Sequence, residues 1–139
     1  MNKERVKDDF AESTKSLMNI LSSVSQEKFN KKPEEGGWTV GMTVEHLIKV
    51  EYGTLKLFSG PVEKSGRNPK QKIEKIQERL LNFDTAMTAY GPIIPDEKPK
   101  DKSKALGKIQ DIRQKLTGLI EIVDLEEMLP VLNTRFLDI

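Results

Sequence analysis

Residues 36–58 read GGWTVGMTVEHLIKVEYGTLKLF, and the architecture of the chain turns on them. Thr39 is a good N-cap, because its hydroxyl can accept a backbone N–H of the first turn, so Val40 is the expected first helical residue. Gly60-Pro61 stops the run, which places the helix end near Phe58. At a helical rotation of about 100° per residue, the polar positions Glu45, Lys49, Tyr52 and Lys56 fill only a narrow wedge. Met42, Val44, Leu47, Ile48, Val50, Leu55, Leu57 and Phe58 spread over most of the remaining arc. A helix apolar over so wide an arc is covered on more than one side, so residues 40–58 are predicted to be the central helix of an all-α fold.

The flanking sequence supplies its partners. Val6, Phe10, Leu17, Leu21 and Val24 recur at three-, four- and seven-residue intervals, predicting a helix over about 3–24. Polar residues and the Pro33–Gly37 stretch then break it. A third helix is expected over 69–88: Asn68 suits the cap, Pro69 the first position and Gln71 a capping-box partner. Ile73, Ile76, Leu80, Phe83 and Met87 follow, and Gly91-Pro92 ends it. The prolines of PIIPDEKPKDK disfavour helix. Leu106, Ile109, Ile112, Leu116, Leu119, Ile120 and Val123 then mark a fourth helix over 103–123. Pro130 bars its continuation, and the closing VLNTRFLDI is too short for an independent helix, although Thr134 could cap one. No stretch alternates at period two, so no sheet is expected. The reading is one domain over residues 1–139, an antiparallel up-down helical bundle with Leu47, Leu80 and Leu116 in its core.

Composition narrows the chemistry. The 139 residues can bury a core of their own. There is no cysteine, which excludes disulfides, thiolate nucleophiles and cysteine-held metals and fits the cytoplasm. With 23 basic and 22 acidic residues there is no general pull toward nucleic acid or membrane, and no run approaches the ~18 apolar residues of a span. The N-terminus, MNKERVKDDF, is charged from the start and holds no apolar targeting core. Residues 63–79 are mainly basic and residues 117–139 mainly acidic, either two solvated faces or complementary fields between two copies.

His46 is the single histidine. Met42, Val50, Gly53 and Leu57 surround it at helical spacing, on the edge of the apolar arc. It reads either as a metal ligand or general base, or as a boundary histidine bonded to a neighbour. Glu51 falls inside the apolar arc and needs a partner, whether a basic or indole donor or a metal. Trp38 reads as a core plug at the helix entrance rather than a stacking platform. No H-x-x-x-H or E-x-x-H spacing exists, nor a phosphate loop or nucleophile elbow. Lys98, Lys100, Lys102 and Lys104 are interleaved with acids and no aromatic, which argues against nucleic acid.

The stretch GGWTVGMTVEHLIKVE, Gly36 to Glu51, has a tryptophan, a Ser/Thr cap, a short helical run, His-Leu and a glutamate five residues on. It resembles the second helix of DinB-like proteins. SQEKFNKKPEEGG resembles that family's opening, YGPIIP its middle, and LPVLNTRFLDI the lead-in to its last helix. The resemblance implies a DinB-like four-helix bundle with the last helix missing or truncated here. It further implies a divalent metal, such as Zn, Ni or Mn, held by three histidines, one on the second helix and a spaced pair on the last. Related members are thiol transferases or hydrolases. By position His46 is the first ligand; the other two have no counterpart, because the sequence stops where that last helix would begin, and a catalytic zinc normally takes three protein ligands. The expectation is therefore a DinB-like bundle with no resident cofactor, working as a homodimer. The alternative is a divalent-metal-dependent enzyme that completes the His46 site with ligands from elsewhere.

Overall fold

A side chain caps the start of each long helix that packs in the core. In a computed structural model, residues 2–60, 63–64, 73–84, 88–123 and 127–128 are described. Helix α1 (Lys3–Ser23) opens on Asn2, whose side chain accepts the Arg5 N–H. A single turn, α2 (Gln26–Phe29), is capped by Ser25. Helix α3 (Val40–Phe58) is capped by the buried Thr39, which accepts the Met42 N–H at 3.0 Å, as the sequence predicts. Helix α5 (Lys102–Ile122) opens on Asp101, which accepts the Lys104 N–H. Each cap satisfies a donor that the first helical turn leaves without an internal partner.

Contacts along the helices fix their directions. Lys3 and Lys7 at the start of α1 reach Glu121 at the end of α5, and Lys102 reaches the Ser22 carbonyl, so α1 and α5 are antiparallel. Glu45 meets Lys100 and Glu51 meets Arg113, so α3 and α5 are parallel. Helix α1 therefore runs against both α3 and α5, and the fold is an all-α bundle. A two-residue antiparallel ladder joins β1 (Glu63–Lys64) to β2 (Glu127–Met128), just beyond the ends of α3 and α5. It lies where no sheet was expected, and two residues leave no period to read.

The core forms where the three long helices converge. Leu21 of α1, Phe29 of α2 and Val44 of α3 are buried together, with Val40, Ile48, Ala105 and Leu106 packed around them. Ile109, Ile112 and Leu116 of α5 continue it. Phe29, fully buried, lies in the polar stretch read from sequence as a break. It fits because Gly41 has no side chain: a Cβ there would stand 3.0 Å from the Phe29 ring and 3.0 Å from Cγ of Lys100.

Three expectations need correction. The helix expected over 69–88 is α4 (Ile73–Leu80), and residues 81–84 are not helical. There the Asn82 side chain accepts the Asp84 N–H at 3.0 Å, a local bond that competes with the helical ladder. Asn68, Pro69, Gln71, Met87, Pro130 and Thr134 lie outside the described residues. Leu80, expected in the core, is 63% exposed, because α4 buries none of its residues. Leu47 is half-buried, and only Leu116 of the three named core leucines is buried. Lastly, α5, not α3, packs along both other long helices. The wide apolar arc of α3 is only partly covered: Val50 is exposed, and Leu47, Ile48, Leu55, Leu57 and Phe58 are half-buried.

Candidate functional site

The expected site residues all sit on or beside α3, and the structure sorts them into two polar groups. Thr39 fixes where α3 begins. Trp38, one residue earlier, therefore lies beside the ring of His46, with centroids 5.1 Å apart and planes tilted by 50°. Trp38 is not the core plug expected; it is 38% exposed and covers one side of the imidazole.

His46 is half-buried at the boundary of the apolar arc, as its neighbours predicted. Its Nδ1 lies 2.8 Å from the Ile93 carbonyl. A carbonyl only accepts, so Nδ1 carries the proton and Nε2 keeps the lone pair in the neutral ring. Ile93 ends a 3-10 turn (Gly91–Ile93) that begins at Gly91, whose φ of +63 favours glycine. The loop beyond the turn lies on the same face of α3. Lys49 donates to the Ile94 carbonyl at 2.7 Å, and the Asp96 N–H donates to Glu45 at 3.2 Å. Lys100 bridges Glu45 and Asp96. Burial alone would raise the Glu45 carboxyl, but hydrogen bonds from Lys100 and Lys49 outweigh it and hold Glu45 below its ordinary range. Asp96 is likewise held low, first by Lys100 and then by the Lys98 N–H.

The second group lies deeper. Glu51 meets Arg113 of α5 in a forked pair, with Nη2 at 2.6 Å and Nε at 3.1 Å. The Arg113 Nη1 also donates to Ser13 and Thr14 of α1, and the guanidinium stands 5.2 Å from the Phe10 ring centroid. The Arg113 and Glu51 side chains are 11% and 14% exposed. The need for a partner at Glu51 was legible; Arg113 itself was missed. Its signal is position, since 109, 112, 113 and 116 share one face of a helix and Arg113 is the charged member of an otherwise apolar stripe.

A metal centre does not follow from these side chains. Glu45 and Glu51, the acids of α3, are each committed to cations. Among the described residues no three His, Cys, Asp or Glu side chains converge, and the sequence holds no second imidazole and no thiol. One imidazole does not hold a divalent ion. The donors among the described residues do not make up the three-histidine set that the resemblance implies.

Comparison with known proteins bears on the same residues. A family model described as the DinB superfamily matches residues 9–135, and the chain belongs to that superfamily. No curated protein and no solved structure matches the chain. No helix among the described residues is long and apolar enough to cross a membrane.

Proposed function

We propose that this member of the DinB superfamily works as a non-catalytic helical bundle, in which His46 anchors a loop instead of holding a metal. The observation that carries this reading is the engagement of the polar groups on α3: Glu45 by Lys49 and Lys100, Glu51 by Arg113, and His46 Nδ1 by the Ile93 carbonyl. A metal recruiting either carboxylate would have to displace an ammonium or a guanidinium from a partly buried pair. On this reading no resident cofactor is needed, and the protein acts by association. A homodimer is the simplest form, because a second copy can cover the exposed Val50 and Tyr52 flank of α3 across a two-fold axis. The cysteine-free sequence suits the cytoplasm. Nucleic acid is not the partner, since the lysines of the loop before α5 are interleaved with acids.

One observation favours a second reading, a divalent-metal-dependent enzyme of the thiol transferase or hydrolase type. Donation from Nδ1 to a backbone carbonyl is how ligating histidines are commonly oriented, with Nε2 left for the metal. The missing ligands would then come from elsewhere. Metal analysis of protein purified without a histidine tag, with zinc titration, separates the two. The first reading expects no stoichiometric transition metal and no tight one-to-one zinc binding. Stoichiometric Zn, Ni or Mn, lost in His46→Ala, establishes the second. Sedimentation at micromolar concentration tests the dimer, and a clean single-chain mass with no tendency to associate refutes it.

A further inference from the structure

Residues 93–100 run from the 3-10 turn to the start of α5 over one face of α3, with little apolar anchorage. Pro95 is buried and Ile93 is half-buried; Ile94, Asp96, Glu97, Lys98 and Pro99 are exposed. What holds the segment is polar and comes from two places. One turn of α3 supplies His46 to the Ile93 carbonyl, Lys49 to the Ile94 carbonyl and Glu45 to the Asp96 N–H. At the other end, Asn30 both donates to the Lys100 carbonyl at 2.8 Å and accepts the Lys100 N–H. Gln26 does the same across two residues, donating to the Lys100 carbonyl and accepting the Lys102 N–H at 2.8 Å. Lys100 links the two ends, with its backbone on Asn30 and its ammonium on Glu45. These bonds depend on one another's geometry, and none is a core contact.

We propose that residues 93–100 form a strap over His46 that opens as one unit while α1, α3 and α5 stay packed. Segments with few buried apolar contacts open at lower free energy than the core they cross, in cooperative blocks. Closed, the strap fixes the His46 proton on Nδ1. Open, it releases Nδ1, and the imidazole is free to take either neutral tautomer. The strap thereby controls which ring nitrogen of the one histidine is available, whether or not any ligand comes to it.

Amide hydrogen exchange across a denaturant series, on the full chain, tests this. The N–H groups of Asp96, Lys98, Lys100 and Lys102 donate to Glu45, Asp96, Asn30 and Gln26 respectively. They should share one opening free energy and one denaturant slope, both below those of Val44, Ile109, Ile112 and Leu116. Glu45→Gln and Asn30→Ala, at opposite ends, should each accelerate all four by on the order of tenfold, the worth of about one good hydrogen bond. Leu116→Ala, or Ile112→Val if that variant folds poorly, should accelerate the core amides and leave the strap amides where they were. Nitrogen chemical shifts of His46 should report Nδ1–H in the parent, and the share of the other tautomer should grow on the order of tenfold in Glu45→Gln, in step with the opening. Four unrelated opening free energies would refute the single unit. Acceleration of strap and core together by Leu116→Ala would show that the segment opens only with the whole fold.

Discussion

Helix α3 carries two carboxylates less than two turns apart, and they are neutralised in different ways. Glu51 faces the bundle and is clasped by Arg113, a guanidinium on another helix that also touches Ser13, Thr14 and the Phe10 ring. Glu45 faces the edge and is held by Lys49 of its own helix and by Lys100 of a loop. The deeper pair ties three helices together, so its loss is felt by the whole fold. The shallower group ties a loop to one helix. The same residue type on the same helix therefore serves the bundle in one place and a detachable segment in the other, and depth decides which.

The largest effect should come from breaking the deep pair on one side. Arg113→Ala leaves Glu51 partly buried without its cation and should cost about 3–5 kcal/mol in urea unfolding. Replacing both partners, as Glu51→Leu with Arg113→Leu, should recover most of that loss, because two apolar groups leave no charge uncompensated. A single-variant cost below about 1 kcal/mol would mean that the pair is solvated and the contrast between the two carboxylates is false.

Next in size is the apolar core that the deep pair adjoins. Leu116→Ala should cost about 2–5 kcal/mol, since it empties a buried site on the helix that packs against both others. Leu80→Ala should stay within about 0.5 kcal/mol, because that side chain is mostly exposed. Equal losses at the two positions would place α4 in the core after all.

How much of this was legible follows from which signals are local. Thr39 as a cap, Val40 to Phe58 as a helix and the need for a partner at Glu51 are read from near neighbours, and each agrees with the structure. Phe29 was missed because a four-residue helix has no periodicity, and its burial depends on Gly41 in another element. Arg113 was missed because a charged residue on an apolar stripe is identified only by what faces it. Leu80 was misplaced because α4 has a clear stripe, yet a stripe says which face is apolar and not that anything covers it. At the candidate site, the position of His46 was legible but its carbonyl partner was not. Ile93 lies 47 residues away, and a backbone acceptor leaves no trace in side-chain chemistry.

The shallow group should show its character in acid. Glu45 and Asp96 both have lowered pKa values when folded. A carboxyl with a lowered folded pKa adds stability above its unfolded pKa, near 4.3 for glutamate, and that stability is lost as pH falls through the folded value. Glu45→Gln should therefore cost about 1.5 kcal/mol at neutral pH, the low end for a charge-assisted bond and the equivalent of roughly tenfold faster opening. The gap between parent and variant should close as pH falls below about 4. A gap that stays constant down to about pH 2 would show that the Glu45 charge is not what holds the loop.

The smallest effect among the polar contacts of α3, and the one that sharpens the comparison most, is expected at His46. As an anchor, its contribution is one neutral hydrogen bond to a backbone carbonyl plus the contact with Trp38. His46→Ala should then cost only about 0.5–1.5 kcal/mol. The choice of replacement carries the argument. The amide nitrogen of asparagine sits about where Nδ1 sits in histidine, so His46→Asn can still donate to the Ile93 carbonyl. Glutamine places its amide farther out, where Nε2 would be. An anchoring role predicts that Asn recovers part of what Ala loses and that Gln does not, with no change in zinc titration for any of the three. A metal-holding role predicts a different pattern, in which Asn is no better than Ala, the stability difference appears only when metal is present, and chelator abolishes it. Urea unfolding of the parent and three variants, with and without chelator, reads both patterns in one experiment. Asn rescue that persists in chelator places His46 with Glu45 as a fastening of the strap; a chelator-dependent difference without rescue would remove it from that group.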